Sequence, residues 1–142
     1  MSHVYVFSRS EFFNLQSDFL KDKKIIQIHN IHDKKWYPNQ IPNGLVFFFE
    51  DRHLSEISFL KKFKAMKSIQ STLFTKKDAM TIQQFIAKNQ NFDFIIHCEY
   101  GKSRSVAIAY FMKTRFGFHV INKEEKDFQF QNSWMQFIFS KI

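Results

Sequence analysis

The 142-residue chain has one cysteine, two prolines and three glycines, and each shortage closes off a class of protein. A single cysteine rules out an internal disulfide, which suits a reducing compartment and predicts a cytoplasmic location. With so few prolines and glycines there is no stretch resembling a linker, and no repeat or low-complexity tract interrupts the chain. Residues 1–142 are therefore expected to form one domain, large enough for a sizeable core. No apolar run approaches the length of a membrane span, and the N-terminus lacks the basic-then-apolar pattern of a secretory signal.

What is present points to a packed globule: 44% of the residues are hydrophobic and twenty are phenylalanine. The formal net charge of +8 would attract anions, whether a phosphorylated substrate, nucleic acid or an acidic membrane surface. The charge is carried by dispersed lysines, not by a compact arginine stripe, so it reads as a solvated basic surface. A monomer with no obligatory nucleic-acid partner and no membrane span is expected.

One stretch organises the rest. Ile95-Ile96 leads into His97-Cys98-Glu99-Tyr100-Gly101-Lys102-Ser103-Arg104-Ser105, and from Ser105 to Met112 the sequence reads as a buried helix. A strand, a tight loop and a helix N-terminus together form a cradle for a phosphate, because loop amides and the unpaired donors of the first helical turn converge on one point. A sulfur at the start of that ring sits in a positive field, which favours thiolate over thiol and makes Cys98 a nucleophile. Arg104 offers a planar fork that matches two phosphoryl oxygens. Gly101 lets the backbone turn and approach a ligand. Ser105 is placed to donate to the sulfur when a phospho-enzyme is hydrolysed. His97 is expected to hold the loop by hydrogen bonds and so to help set the cysteine's pKa.

The run His97-Cys98-Glu99-Tyr100-Gly101-Lys102-Ser103-Arg104-Ser105 resembles the HCxxGxxRS loop of cysteine-dependent protein tyrosine phosphatases. It is most similar to the small dual-specificity-like branch and its bacterial and phage-type relatives, over about Leu45 to Phe116. The resemblance implies a two-step hydrolysis through a cysteinyl-phosphate, with no metal and no organic cofactor. It also implies a carboxylic acid on a loop after a strand. Asp51, after the apolar strand Leu45-Val46-Phe47-Phe48-Phe49, is the choice, with Glu50 and Asp33 as rivals. The gap from Asp51 to Cys98 is longer than in the compact dual-specificity enzymes, and an inserted helix from Ser55 to about Lys67 would account for it.

The remaining elements follow from periodicity and caps. Val4–Phe7 reads as a first strand, and Ser8 with Glu11 forms a capping box for one helix from Ser8 to Leu20. Ile25–Ile28 is a second strand. His29, His32 and Asp33 then cluster in a loop that lacks a fourth metal ligand, so no metal is assigned. Trp36 and Tyr37 either line a cleft or cover the sheet edge. Gly44 opens the third strand, whose unbroken apolar run fits a strand covered on both faces. Thr75 and Asp78 box the start of a helix with Ala79, Ile82, Phe85 and Ile86 inward. Phe92–Ile96 is the central strand, and the helix after the loop ends at Phe116 with Gly117 as its cap. Phe118–Val120 is short and extended, and Asn132 or Ser133 caps a last helix. The fold class expected is α/β: a mainly parallel sheet of four or five strands, helices on both faces, and the site at the strands' carboxyl ends.

The reaction expected is phosphomonoester hydrolysis, most simply of a phosphorylated protein. Glu99, Tyr100, Gly101, Lys102, Ser103 and Arg104 would bind the phosphoryl group, Cys98 would attack it, and Asp51 would protonate the leaving oxygen. Lys102 is shared with phosphoinositide phosphatase loops, but Glu99 stands where those carry a second lysine and would repel a highly anionic headgroup. The alternatives are a phosphate-binding module without activity, a phosphoinositide phosphatase and a rhodanese-like sulfurtransferase.

Overall fold

A computed structural model of the chain describes residues 1–62 and 69–142. Five strands, β1 (His3–Ser8), β2 (Lys24–His29), β3 (Gly44–Phe48), β4 (Phe94–Cys98) and β5 (His119–Val120), form one parallel sheet in the order β3-β2-β4-β1-β5. The helices are α1 (Arg9–Phe13), α2 (Ser17–Leu20), α3 (Leu54–Lys62), α4 (Lys76–Lys88), α5 (Arg104–Phe116), α6 (Glu125–Phe128) and α7 (Ser133–Phe139). The fold is α/β, the class the sequence leads one to expect. Among the described residues no helix is long and apolar enough to cross a membrane.

Strand order explains the layering. From β1 the chain steps over one position to β2 and then out to β3, and it returns to insert β4 between β2 and β1. Parallel crossovers are right-handed, so connections running in opposite directions across the sheet lie on opposite faces. The β1–β2 connection carries α1 and α2, whereas those leading from β3 to β4 and from β4 to β5 carry α3, α4 and α5. Side chains alternate accordingly. Val4, Val6, Ile26, Ile28, Phe94, Ile96 and Cys98 join the main core with α4, α5 and α7. Their odd-numbered neighbours face the other way, where Tyr5 and Phe7 meet Phe19, and His29 and His97 meet Phe12 and Tyr37.

The structure departs from the sequence reading in three places, and a fourth expectation reaches beyond the described residues. The helix expected from Ser8 to Leu20 is two short helices. Asn14 closes α1 by donating its side-chain amide to Ser10 O at 2.9 Å, and Gln16 is extended before α2. β3 is an edge strand with all five residues half-buried, so its apolar run is not covered on both faces. His29 is not a loop residue but the buried last residue of β2. Finally α3 runs Leu54–Lys62, and the rest of the helix expected to reach Lys67, including Phe63 and Met66, lies outside the described residues.

Candidate active site

The carboxyl ends of β1, β2, β3 and β4 all deliver loops to one edge of the sheet, the edge where open α/β folds bind ligands. Cys98 is the last residue of β4, and Arg104 is the first residue of α5, so residues 99–103 make the whole connection. Gly101 holds φ +69° there, and a Cβ would come within 2.7 Å of the Phe7 carbonyl carbon and the Ser8 nitrogen. The glycine is thus required by the close approach of the loop to the end of β1. Arg9 N donates to Glu99 O at 3.2 Å and fixes the same approach from the other side.

Within the loop, Cys98 Sγ lies 3.0 Å from Ser105 Oγ, and the cysteine is only 2% exposed. Arg104 is buried as well. Its Nη1 donates to Phe49 O at 2.7 Å, its Nη2 stands 4.0 Å from Glu99 Oε2, and its Nε has no partner among the described residues. A buried guanidinium with an unused donor is costly unless something accepts from it. The Glu99 carboxylate is steadied in turn by Asn30, whose Nδ2 donates to Oε2 at 2.6 Å.

Asp51 reaches this group from the segment after β3. Asp51, Glu50, Glu99, Tyr100 and Arg104 line one cavity of about 450 Å³, together with Asn30, Arg52, Glu56, Ile69 and Thr72. Cys98 is not part of that wall. Asp51 Oδ1 accepts from Ser103 Oγ at 2.7 Å and from Asn132 Nδ2 at 2.7 Å, and His53 Nε2 lies 3.7 Å away. Of the two rival acids, Glu50 shares the cavity and takes a bond from Ile31 N at 3.3 Å. Asp33 does not line it, being paired with Arg9 at 3.1 Å. Tyr100, 70% exposed, stands between this cavity and a second one lined by Arg9, Phe13 and Lys102, among others.

His97 sits beneath the loop, and most of what it touches there is aromatic. Neither ring nitrogen has a well-aligned hydrogen bond among the described residues, and the one polar contact of the ring is with the backbone of Cys98. Strand alternation is the reason: Cys98 faces α5, so His97 must face α1, on the far side of the sheet from the sulfur. There its ring stacks on Phe12 at 4.3 Å and meets His29 edge-on at 5.2 Å. Burial, then the neighbouring His29 and Arg9, lower its pKa to about 3, the backbone of Cys98 opposing them. Burial, then Arg9, lower that of His29 to about 4, Arg104 adding to the effect and Asp33 opposing it. Both imidazoles are neutral at pH 7, and His97 supports the loop by packing beneath it.

Two residues of the site carried no catalytic signal in the sequence. Asn30 belongs to no motif in the sequence, and Asn132 is legible only as a helix cap. Their partners are 69 and 81 positions away, so nothing local announces them. Compared with protein-family models and with curated proteins, the sequence matches neither.

Proposed function

We propose that the protein is a phosphomonoester hydrolase that works through a cysteinyl-phosphate, acting on phosphorylated protein. The observation that carries this reading is the convergence of Arg104 and Asp51, 53 positions apart in sequence, on the wall of one cavity beside the loop that begins at Cys98. In this scheme the loop amides of residues 99–104 and the Arg104 guanidinium hold the phosphoryl oxygens. The Cys98 thiolate forms a bond to phosphorus as the ester oxygen departs, and Asp51 gives that oxygen its proton. Water then attacks phosphorus and surrenders a proton to the Asp51 carboxylate, while the sulfur leaves with help from Ser105 Oγ, 3.0 Å away. Glu99, held beside Arg104 by Asn30, disfavours substrates that carry several phosphates.

Hydrolysis of an aryl phosphate by the wild type and by Cys98→Ser tests the reading. The serine variant is expected to fall to background while still binding inorganic phosphate. Turnover retained in that variant would exclude covalent catalysis by Cys98. Asp51→Ala should cost about 100-fold or more on an ester with a poor leaving group and far less on an activated one. An equal loss on both would remove Asp51 from the role of acid.

A further inference from the structure

Asn132 is 1% exposed, and each of its polar atoms is used. Its backbone nitrogen donates to Ser103 O at 3.1 Å, and its Oδ1 accepts from Met135 N at 2.8 Å, which caps α7. Its Nδ2 donates both to Asp51 Oδ1 at 2.7 Å and to Arg52 O at 2.9 Å. The orientation of the amide is not open to choice. A backbone N–H on one side demands the oxygen there, and a backbone carbonyl on the other demands the nitrogen. One residue therefore ties the loop of residues 99–103, the segment bearing Asp51 and the start of α7 to one another.

From this we infer that Asn132 is the positioning residue for the acid, and that it makes Oδ2 of Asp51 the oxygen that carries and delivers the proton. The inference rests on the phosphatase reading above. An amide nitrogen can only donate, so the carboxyl oxygen it faces is fixed as an acceptor and cannot hold the acid's proton toward it. Ser103 Oγ donates to the same oxygen, which fills both of its lone-pair directions. Oδ2 has no partner among the described residues and is the only oxygen left to bear hydrogen. When the leaving ester oxygen takes that proton, the negative charge left on the carboxylate is shared with Oδ1, where two donors already wait. In the second step Oδ2 accepts the proton of the attacking water, and the acid is restored. A carboxyl group free to rotate would present either oxygen, and half of its orientations would be unproductive.

The capping and positioning roles can be separated, because serine caps a helix as well as asparagine does but has no amide. Asn132→Ser keeps the cap but loses the bonds to Asp51 and Arg52 O, so it is expected to stay folded and to melt below the wild type. Its kcat on phenyl phosphate should drop about 10- to 100-fold, with KM little changed and dinitrophenyl phosphate, which needs no acid, nearly unaffected. Ser103→Ala removes the other donor to Oδ1 and should show the same pattern in weaker form, which covers the case of a misfolded Asn132 variant. In an Asp51→Ala background, Asn132→Ser should cost no more than about 2-fold further, since it acts through the missing carboxyl. Equal losses on the two esters, or a full additional loss in the double variant, would overturn the inference while leaving a Cys98-dependent wild type as a phosphatase. A wild type that hydrolyses neither ester would overturn the phosphatase reading and this inference with it.

Discussion

A methyl group added at Gly101 would meet the backbone of Phe7 and Ser8 at 2.7 Å, and the residue would remain at φ +69°. Gly117 has a similar φ of +77° but nothing within 4 Å of where a Cβ would stand. The two glycines separate the cost of the left-handed backbone from the cost of a collision. Gly117→Ala should lose about 1 kcal/mol, the conformational part alone. Gly101→Ala should lose more than about 2 kcal/mol, because backbone atoms cannot move aside as a flexible side chain can. Urea unfolding of the two variants measures both, and equal losses would show that the loop does not press on β1. The same contrast explains what could be read at this scale. Cys98, Gly101, Arg104 and Ser105 sit within eight positions, so local chemistry is visible as a pattern. Asn30 and Asn132 become part of the site only when the sheet brings their loops to its edge. His97 faces away from the sulfur because a residue's neighbour in sequence lies on the opposite face of a strand.

Helix starts were legible because a capping box is written in four consecutive residues. Ser8 with Glu11 and Thr75 with Asp78 both form reciprocal side-chain and backbone bonds. Thr75→Ala should therefore cost about 1 kcal/mol, seen as a lower urea midpoint with an unchanged slope. A variant as stable as the wild type would mean that α4 is held by its buried stripe of Ala79, Ile82 and Ile86 alone. Helix and strand limits that depend on the rest of the molecule were not legible. Phe12, Leu15, Phe19 and Leu20 keep helical spacing through a break at residues 14–16, since Phe12 packs on His97 and Phe19 on Tyr5, two separate docking points. The apolar run of β3 looks like that of an interior strand, yet strand order puts it at the sheet's edge. Periodicity reports which residues avoid water and says nothing of which neighbour covers them.

At the scale of the whole molecule the sheet has two unlike faces, one an aliphatic and phenylalanine core under α4, α5 and α7, the other a smaller aromatic layer that includes two buried histidines. The second face gives the fold a dependence on acid that the first does not. In the unfolded chain His29 and His97 take up protons near the ordinary value of 6.5, while in the folded chain they resist protonation down to about 4 and about 3. Between these limits the unfolded state binds protons that the native state refuses, so lowering the pH favours unfolding. Stability is complete above pH 6.5 and declines as the pH falls from there toward 4. Between pH 7 and pH 5 the loss should be about 2 kcal/mol per imidazole, in a window where most carboxylates stay ionised. His97→Phe keeps a ring against Phe12 and has nothing to protonate, so its stability should fall by only about half as much over the same interval. Urea midpoints at pH 7, 6 and 5 for the two proteins decide the matter. Parallel declines in wild type and variant would clear His97 of any part in the acid sensitivity, and a flatter line for the variant would assign it that part.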